Sequence, residues 1–376
     1  MRLDTFEMER LQSTWENRVR FNLSESSVFP MSVRQLVGEE PLLEELLDTP
    51  LIYNQSNGTD ELREAIAALY PGATLDHVEV TNGGAEANFV SIYAMLEAGD
   101  EVVVVLPIYG QIPGLLRSFG MRVRTVALRE ERGWDLDPAE LDEAVTASTR
   151  MIVLCNPNNP TGAVLSDEAT DAVIRAAARS GAWIHADEIY QGSERDGWVT
   201  PTFWGRHDRV IVTNGLSKAY GLPGLRIGWI TAPPELIAKM WSYHDYITIA
   251  PATLSDRLAR IAVSPEGRPL CLARTRQICK SNFETLRGWL QRHGETFRLV
   301  EPRAGAIAFV HYDLAIGSSE LIERLRVEKD VLVVPGDHFG MDHFLRIGYG
   351  PEPDILREGL ERLSALLEEI RTQGAR

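Results

Sequence analysis

The sequence predicts an α/β fold built on a mostly parallel sheet, and three observations carry that expectation. Between about residue 76 and residue 232, short β-branched runs alternate with longer helical patterns. The runs at 78–80, 101–106, 151–154, 183–186, 210–213 and 227–230 are apolar on both faces, as strands covered by helices on each side must be. Five of them lead into segments rich in glycine, proline or reactive side chains: Asn82-Gly-Gly-Ala85, Pro107-Ile-Tyr109, Asn156-Pro-Asn-Asn-Pro-Thr-Gly162, Asp187-Glu-Ile-Tyr190 and Ser217-Lys218. Open α/β sheets bind ligands beyond the carboxyl ends of their strands, so these segments are expected to share one crevice.

In chain order, residues 1 to about 50 alternate short apolar and polar groups, with 22–30 reading as a loop or extended arm. A helix is predicted over 59–69, with Thr59 as N-cap, acids in its first turn and Pro71-Gly72 as its stop. Ser166 and Gly181 delimit a second. Beyond 233, helical patterns at 234–241 and 257–262 precede expected strands at 297–300, 306–310, 331–334 and 344–348. An amphipathic helix over 354–370, with Ile355, Leu356, Leu360, Leu363, Leu367 and Ile370 on one side, ends what reads as a smaller α+β domain.

The 376 residues are 44% hydrophobic and 24% charged, enough for two domains with sizeable cores. A formal charge of −16 opposes nucleic acid and anionic membranes as partners, so an anionic ligand must meet locally arranged cations. Cys155, Cys271 and Cys279 form an odd set without metal-ligand spacing, and the eight histidines form no H-E-x-x-H cluster. No metal site is expected. The first twenty residues hold no signal-like apolar core, and no run approaches the roughly 20 apolar residues of a membrane span. A cytoplasmic protein is expected.

The chemistry centres on Lys218, in a turn shaped by glycines between two apolar runs. A nucleophilic lysine must be uncharged at some point, which apolar walls and nearby cations favour by depressing its pKa; the bland alternative is an exposed turn lysine. Arg226, eight residues on, could pair with an anion. The turn Gly83-Gly84-Ala85 opens a helix and so aims N–H groups and a positive dipole end at an anion, phosphate above all, without being a G-x-G-x-x-G or G-K-[ST] loop. Asp187 ends an apolar strand, where a carboxylate is costly unless it meets a cation, such as a protonated ring nitrogen, or caps a helix. Tyr109 and Tyr190 are, by themselves, amphipathic wall residues.

Four motifs in order, Asn156-Pro-Asn-Asn-Pro-Thr-Gly162, Ala186-Asp-Glu-Ile-Tyr190, Ser217-Lys-Ala-Tyr-Gly-Leu-Pro-Gly-Leu-Arg-Ile-Gly228 and Phe344-Leu-Arg-Ile-Gly348, together resemble the class I/II aminotransferases, pyridoxal-phosphate enzymes of fold type I with the aspartate aminotransferase fold. The likeness runs from about residue 50 to the end. It implies that Lys218 forms a Schiff base with pyridoxal 5'-phosphate and moves the substrate α-proton, and that Asp187 keeps the pyridine nitrogen protonated. It further implies that Asn159 and Tyr190 bond the phenolic oxygen and that Tyr109 stacks on the ring. Arg226, Gly83, Gly84, Ala85 and Ser217 would then hold the phosphate, and Arg346 the substrate carboxylate. Tyr53 matches a tyrosine that reaches the neighbouring subunit's phosphate, so a homodimer with shared sites is implied.

The implied domains are an arm and part of the small domain over 1–45, a large cofactor-binding domain over 46–255 and a small domain over 256–376. Two positions depart from the family: Gly215 stands where many members carry a phosphate-binding Ser or Thr, and Ser26, a candidate substrate contact, stands where a glycine is usual. Val28 and the 246–251 segment are further candidates to line the pocket. Glu25 is a conceivable partner for a guanidinium, with a solvated loop carboxylate as the expected state. The reaction expected is transfer of an α-amino group between an L-amino acid and a 2-oxo acid. The alternative keeps the first deprotonation but leads to β/γ-elimination, replacement or cyclisation, as in relatives resembling capreomycidine synthase or aminocyclopropane-carboxylate synthase.

Overall fold

A computed structural model describes residues 3–38 and 40–374. Its strands are β1 (Phe21–Asn22), β2 (Val78–Thr81), β3 (Glu101–Leu106), β4 (Arg122–Ala127), β5 (Thr149–Cys155), β6 (Trp183–Asp187), β7 (Val210–Gly215), β8 (Gly228–Thr231), β9 (Phe297–Leu299), β10 (Ile307–Tyr312), β11 (Val331–Leu332), β12 (Val334–Pro335) and β13 (Phe344–Gly348). Seven of these form one sheet in the order β2-β8-β7-β6-β5-β3-β4, in which only β8 runs against its neighbours. The mixed, mostly parallel sheet is the one expected. The carboxyl ends of β3, β5, β6 and β7 therefore open on one edge. Register sets Asp187 beside Cys155 on one side and Thr213 on the other, and pairs Gly228 with both Thr81 and Gly215.

Strand side chains alternate between two cores. Val103, Val105, Ile152, Leu154, Ile184 and Val212 face the helices Asp60–Ala67 and Asp167–Ser180, whereas Val102, Val104, Met151, Val153, Ile211 and Ile230 face Gly84–Met95 and Pro234–His244. Helix Asp167–Ser180 has the expected ends: the Ser166 hydroxyl accepts from Ala169 N, and Gly181 closes it at φ 73°. Edge strand β4 was not anticipated, because Arg-Val-Arg-Thr-Val-Ala buries only Val126 fully and lacks the two-faced apolar run of the inner strands.

A separate antiparallel sheet, β12-β13-β10-β9, is covered by the helices Gly267–Arg292, Ser318–Lys329 and Pro353–Gly374. The run at 331–334 is not one strand: the chain changes sheets at Val333, so that β11 pairs with β1 and β12 with β13. Phe21, Leu23 and Val28 from the N-terminal segment are buried in this smaller core. Helix Gly267–Arg292 joins the two bodies, placing Cys271 and Leu272 in the large core and Cys279, Phe283, Leu286 and Trp289 in the small one. The segment 23–30 is irregular, as expected, and helices Glu7–Trp15, Val33–Val37 and Glu40–Leu47 flank it. All three cysteines are buried free thiols. Among the described residues no helix is long and apolar enough to cross a membrane, and no cluster of potential metal ligands is present.

Candidate active site

A pocket of about 380 Å³ lies where the carboxyl edge of the large sheet meets helix Glu7–Trp15 and β13. It gathers Gly84, Ala85, Tyr109, Asn159, Asp187, Tyr190, Ser217, Lys218, Arg226, Arg346 and Ser26. Gly83 stands one residue outside this lining. Tyr53 does not line it and is 88% exposed.

One end of the pocket is built for an anion. The turn before helix Gly84–Met95 needs glycine at position 83, where φ is 99° and a Cβ would stand 2.4 Å from Arg226 Nη2. Arg226 Nη1 donates to Pro223 O at 3.0 Å and reaches Ser217 Oγ at 3.5 Å, and the guanidinium has no carboxylate partner among the described residues. Helix dipole, free N–H groups, a hydroxyl and an arginine thus converge. Behind the turn, Asn82 N donates to Glu86 Oε2 at 2.5 Å, and buried His244 sits between Glu79 (2.8 Å) and Glu86 (3.2 Å). Burial alone would lower the His244 pKa, but its two glutamate partners raise it to about 9.

Gly215 is a constrained position in this backbone. A Cβ there would lie 2.8 Å from Ile227 O and 3.0 Å from the Cα of Gly228, its partner across the β7–β8 pair. The Ser or Thr usual at this position does not fit this close approach, and Ser217 and Arg226 stand at the anion end in its stead.

Asp187 lies deeper. Burial raises its pKa, partly offset by Asn88 Nδ2 (3.0 Å) and Ile189 N (3.1 Å), and no cation pairs with it among the described residues. Asn88 is itself oriented by Thr213 Oγ1 at 2.6 Å, so helix Gly84–Met95 supplies the anion turn and, one turn on, the clamp on Asp187. Tyr190, 2% exposed, leaves its hydroxyl without a hydrogen bond of good geometry, and burial raises its pKa against smaller lowerings by Lys218, Arg346 and the Ser26 hydroxyl. A buried polar atom of this kind points to a missing partner.

Lys218 does not have the depressed pKa expected of it. Burial pushes the pKa down, but Glu25, whose Oε1 is 2.9 Å from Nζ, together with Tyr190 more than compensates and the net shift is upward. Glu25 in turn is pulled down to about 2, chiefly by Lys218. Its Oε1 also accepts from Ser26 N (2.8 Å) and Ser27 N (3.0 Å), so Glu25 is an oriented acceptor in the pocket and not a solvated loop carboxylate.

Arg346, 1% exposed on β13, donates to Asn159 Oδ1 (3.0 Å) and Ser24 O (2.7 Å). It has no carboxylate partner among the described residues, and burial lowers its pKa. A buried guanidinium without a counter-ion is a strong site for a carboxylate. Tyr109 donates to Glu9 Oε1 at 2.7 Å and packs edge-on against Phe6 at 5.0 Å.

The sequence reading missed Met8, Glu9, Gln12 and Glu16, which helix Glu7–Trp15 and its C-cap bring to the pocket. Their signal was present: Glu9, Gln12 and Glu16 recur at i, i+3 and i+7, one helix face. It also missed Asn88, which is in no motif.

The sequence matches the family model for aminotransferase class I and II over residues 37–363. The chain belongs to that family. Pyridoxal phosphate is the cofactor of such enzymes, and the residues fit it: an anion cradle for its phosphate, a cation-seeking Asp187 for its ring nitrogen, an unpartnered Tyr190 hydroxyl for its phenolic oxygen and Lys218 for its aldehyde. Among similar proteins, the capreomycidine synthase of Streptomyces vinaceus is 31% identical over 318 residues, 84% of this chain and 80% of that one. A crystal structure of a pyridoxal-phosphate-dependent aminotransferase from Streptococcus suis superposes with a TM-score of 0.92 at 29% identity, covering 98% of this chain and 99% of that one. The pyridoxal-phosphate-dependent cyclase OrfR gives 0.90 at 29% identity, covering 98% of both chains.

Proposed function

We propose that this aminotransferase-family enzyme transfers an α-amino group between an L-amino acid and a 2-oxo acid. The observation that carries the reading is the placement of a counter-ion-free Arg346 in the same pocket as Lys218 and Asp187, so that a carboxylate bound by the first leaves an adjoining α-carbon for the second. Bound pyridoxal phosphate supplies an electron sink for the charge that develops at that carbon. Lys218 would hold the cofactor at its aldehyde, and its Nζ would be the base that takes the α-proton and redelivers it. Asp187 keeps the ring nitrogen protonated, held to that task by Asn88. Tyr190 and Asn159 hold the phenolic oxygen, Tyr109 covers the ring, and Gly83, Gly84, Ala85, Ser217 and Arg226 grip the phosphate. Asn159, through its bond to Arg346, also sets the angle of the carboxylate grip.

A second copy of the chain is proposed to complete the site. Leu51, Ile52, Tyr53, Tyr246, Ile249 and Leu254 are large exposed apolar side chains. Thr253 Oγ1 to Ile52 O (2.5 Å) joins their two segments, and Asn82 Nδ2 to Thr248 Oγ1 (2.7 Å) ties the second to the anion turn. A patch of this kind beside the phosphate end suits a partner that lends its Tyr53.

A second reading, elimination or cyclisation of an amino acid, is favoured by one specific observation: Glu25 places an additional carboxylate on the proton-moving lysine. Incubating the purified protein with amino acids, with and without a 2-oxo acid, and identifying products by mass spectrometry separates the two. Matched 2-oxo acid and amino acid products support transfer. Loss of a β- or γ-substituent, or ring closure, with the cofactor still in its aldehyde form refutes it.

A further inference from the structure

Resting on the reading above that the pocket holds an α-amino acid, we infer that its substrate carries a cationic side chain, a guanidinium or ammonium group, received by Glu9, Glu16 and Glu25. These three carboxylates enter the pocket from the N-terminal helix and the segment after β1, on the wall facing the sheet edge. Glu16 feels the other two: burial raises its pKa, and the charges of Glu25 and Glu9 raise it further, against a smaller lowering by Lys218. The Glu16 carboxylate makes no hydrogen bond or ion pair among the described residues, and the Glu9 carboxylate has only the neutral Tyr109 hydroxyl. Crowded carboxylates on a pocket wall are unfavourable unless a cation joins them.

Lys218 relieves the crowding through Glu25, but that same nitrogen must hold the cofactor and then move a proton. During turnover Glu25 is without an exclusive ammonium partner. Its geometry does not depend on Lys218, since Ser26 N and Ser27 N fix Oε1 from the backbone, and Oε2 makes no bond among the described residues. The helix is fixed as well: Gln12 Nε2 donates to Ser24 O at 2.9 Å, and the same carbonyl accepts from Arg346. The carboxylate grip and the acidic wall are thus joined at Ser24. A substrate whose carboxylate lies on Arg346 and whose α-carbon faces Lys218 has its side chain directed among three acids. A second acidic substrate group would be repelled there, and a neutral one would leave the wall uncompensated.

Titration calorimetry of the cofactor-loaded enzyme tests this without turnover when the ligands lack an α-amine. The probes are 5-guanidinopentanoate, its neutral isostere 5-ureidopentanoate and the dianion adipate. The guanidino acid is expected to bind about tenfold or more tighter than the ureido acid, with adipate weakest, and Glu16→Gln and Glu25→Gln each to narrow the first ratio several-fold. Equal or tighter binding of the ureido acid, or a ratio that survives in Glu9→Gln, Glu16→Gln and Glu25→Gln alike, overturns the inference. An enzyme that binds these acids only while Arg346 is intact, yet without preference for the cation, refutes the substrate class and leaves the amino-acid reading standing. A chain that takes up no cofactor, or ignores all three probes, refutes both.

Discussion

The two walls of the pocket differ in origin and in what they do. The sheet wall, with Lys218, Asp187, Tyr190 and the Gly83–Ala85 turn, comes from strand ends inside the matched family region. Asp187 and Tyr190 are buried there, whereas Lys218, Gly84 and Ala85 are half-buried. The N-terminal wall, with Glu9, Gln12, Glu16 and Glu25, comes from residues before 37, outside that region. In the proposed reading, chemistry common to many substrates falls to the sheet, and recognition of one side chain to the segment that covers it.

The comparison can be broken or sharpened in order of expected effect. Lys218→Ala should lower turnover at least about a thousandfold while cofactor still binds noncovalently, as absorption after gel filtration would show; near-normal turnover would remove Lys218 from its role. Arg346→Lys should cost about a hundredfold in kcat/KM, since an ammonium cannot reproduce a two-donor grip; steady-state kinetics with one amino acid measures this. Gly215→Ser tests the sheet wall sterically, with a loss of about 1–3 kcal/mol in thermal or urea unfolding and no gain in cofactor affinity. On the N-terminal wall, Glu25→Gln should lower the pKa of the free Lys218 amine, because Glu25 and then Tyr190 are what raise it against burial, and for a base that must be neutral this moves the acidic arm of a pH–rate profile to lower pH.

The smallest effect expected is on stability against pH. His244 has a folded pKa of about 9 against an ordinary 6.5, so its contribution is fully present below pH 6.5 and lost as pH rises through about 9. Glu79, raised by burial from 4.5 to about 7, acts in the same direction at lower pH, its part being lost as pH rises through about 7. The melting temperature should therefore fall from pH 6.5 to 9.5, and His244→Gln should flatten that slope.

Legibility in the sequence followed the same division. Strands β3, β5, β6 and β7 were readable because burial on both faces leaves continuous apolar runs, and their loops because each reactive residue stands directly after such a run. The N-terminal wall was obscured because Glu25 reads as one more polar residue between serines until the fold brings Lys218 to it across 193 positions. Glu9 and Glu16 were masked by the general acidity of a chain carrying 54 Asp and Glu. Gly215 could be noticed as unusual but not understood, since its reason lies in the backbone of Gly228 on the neighbouring strand.

Gly348 and Gly350 lie back to back with the segment that carries Glu25. Gly348 N donates to Leu23 O at 2.7 Å and Phe29 N to Gly350 O at 2.8 Å, while a Cβ on Gly348 would come within 2.1 Å of Glu25 O, and one on Gly350 within 2.0 Å of Ser27 O. Arg346 is two residues from this seam. The strand and the segment form a single jaw of a caliper, its gap set by the thickness of two backbones. Adding one methyl group at Gly348 would reset that gap, and with it the distance between Arg346 and Glu25.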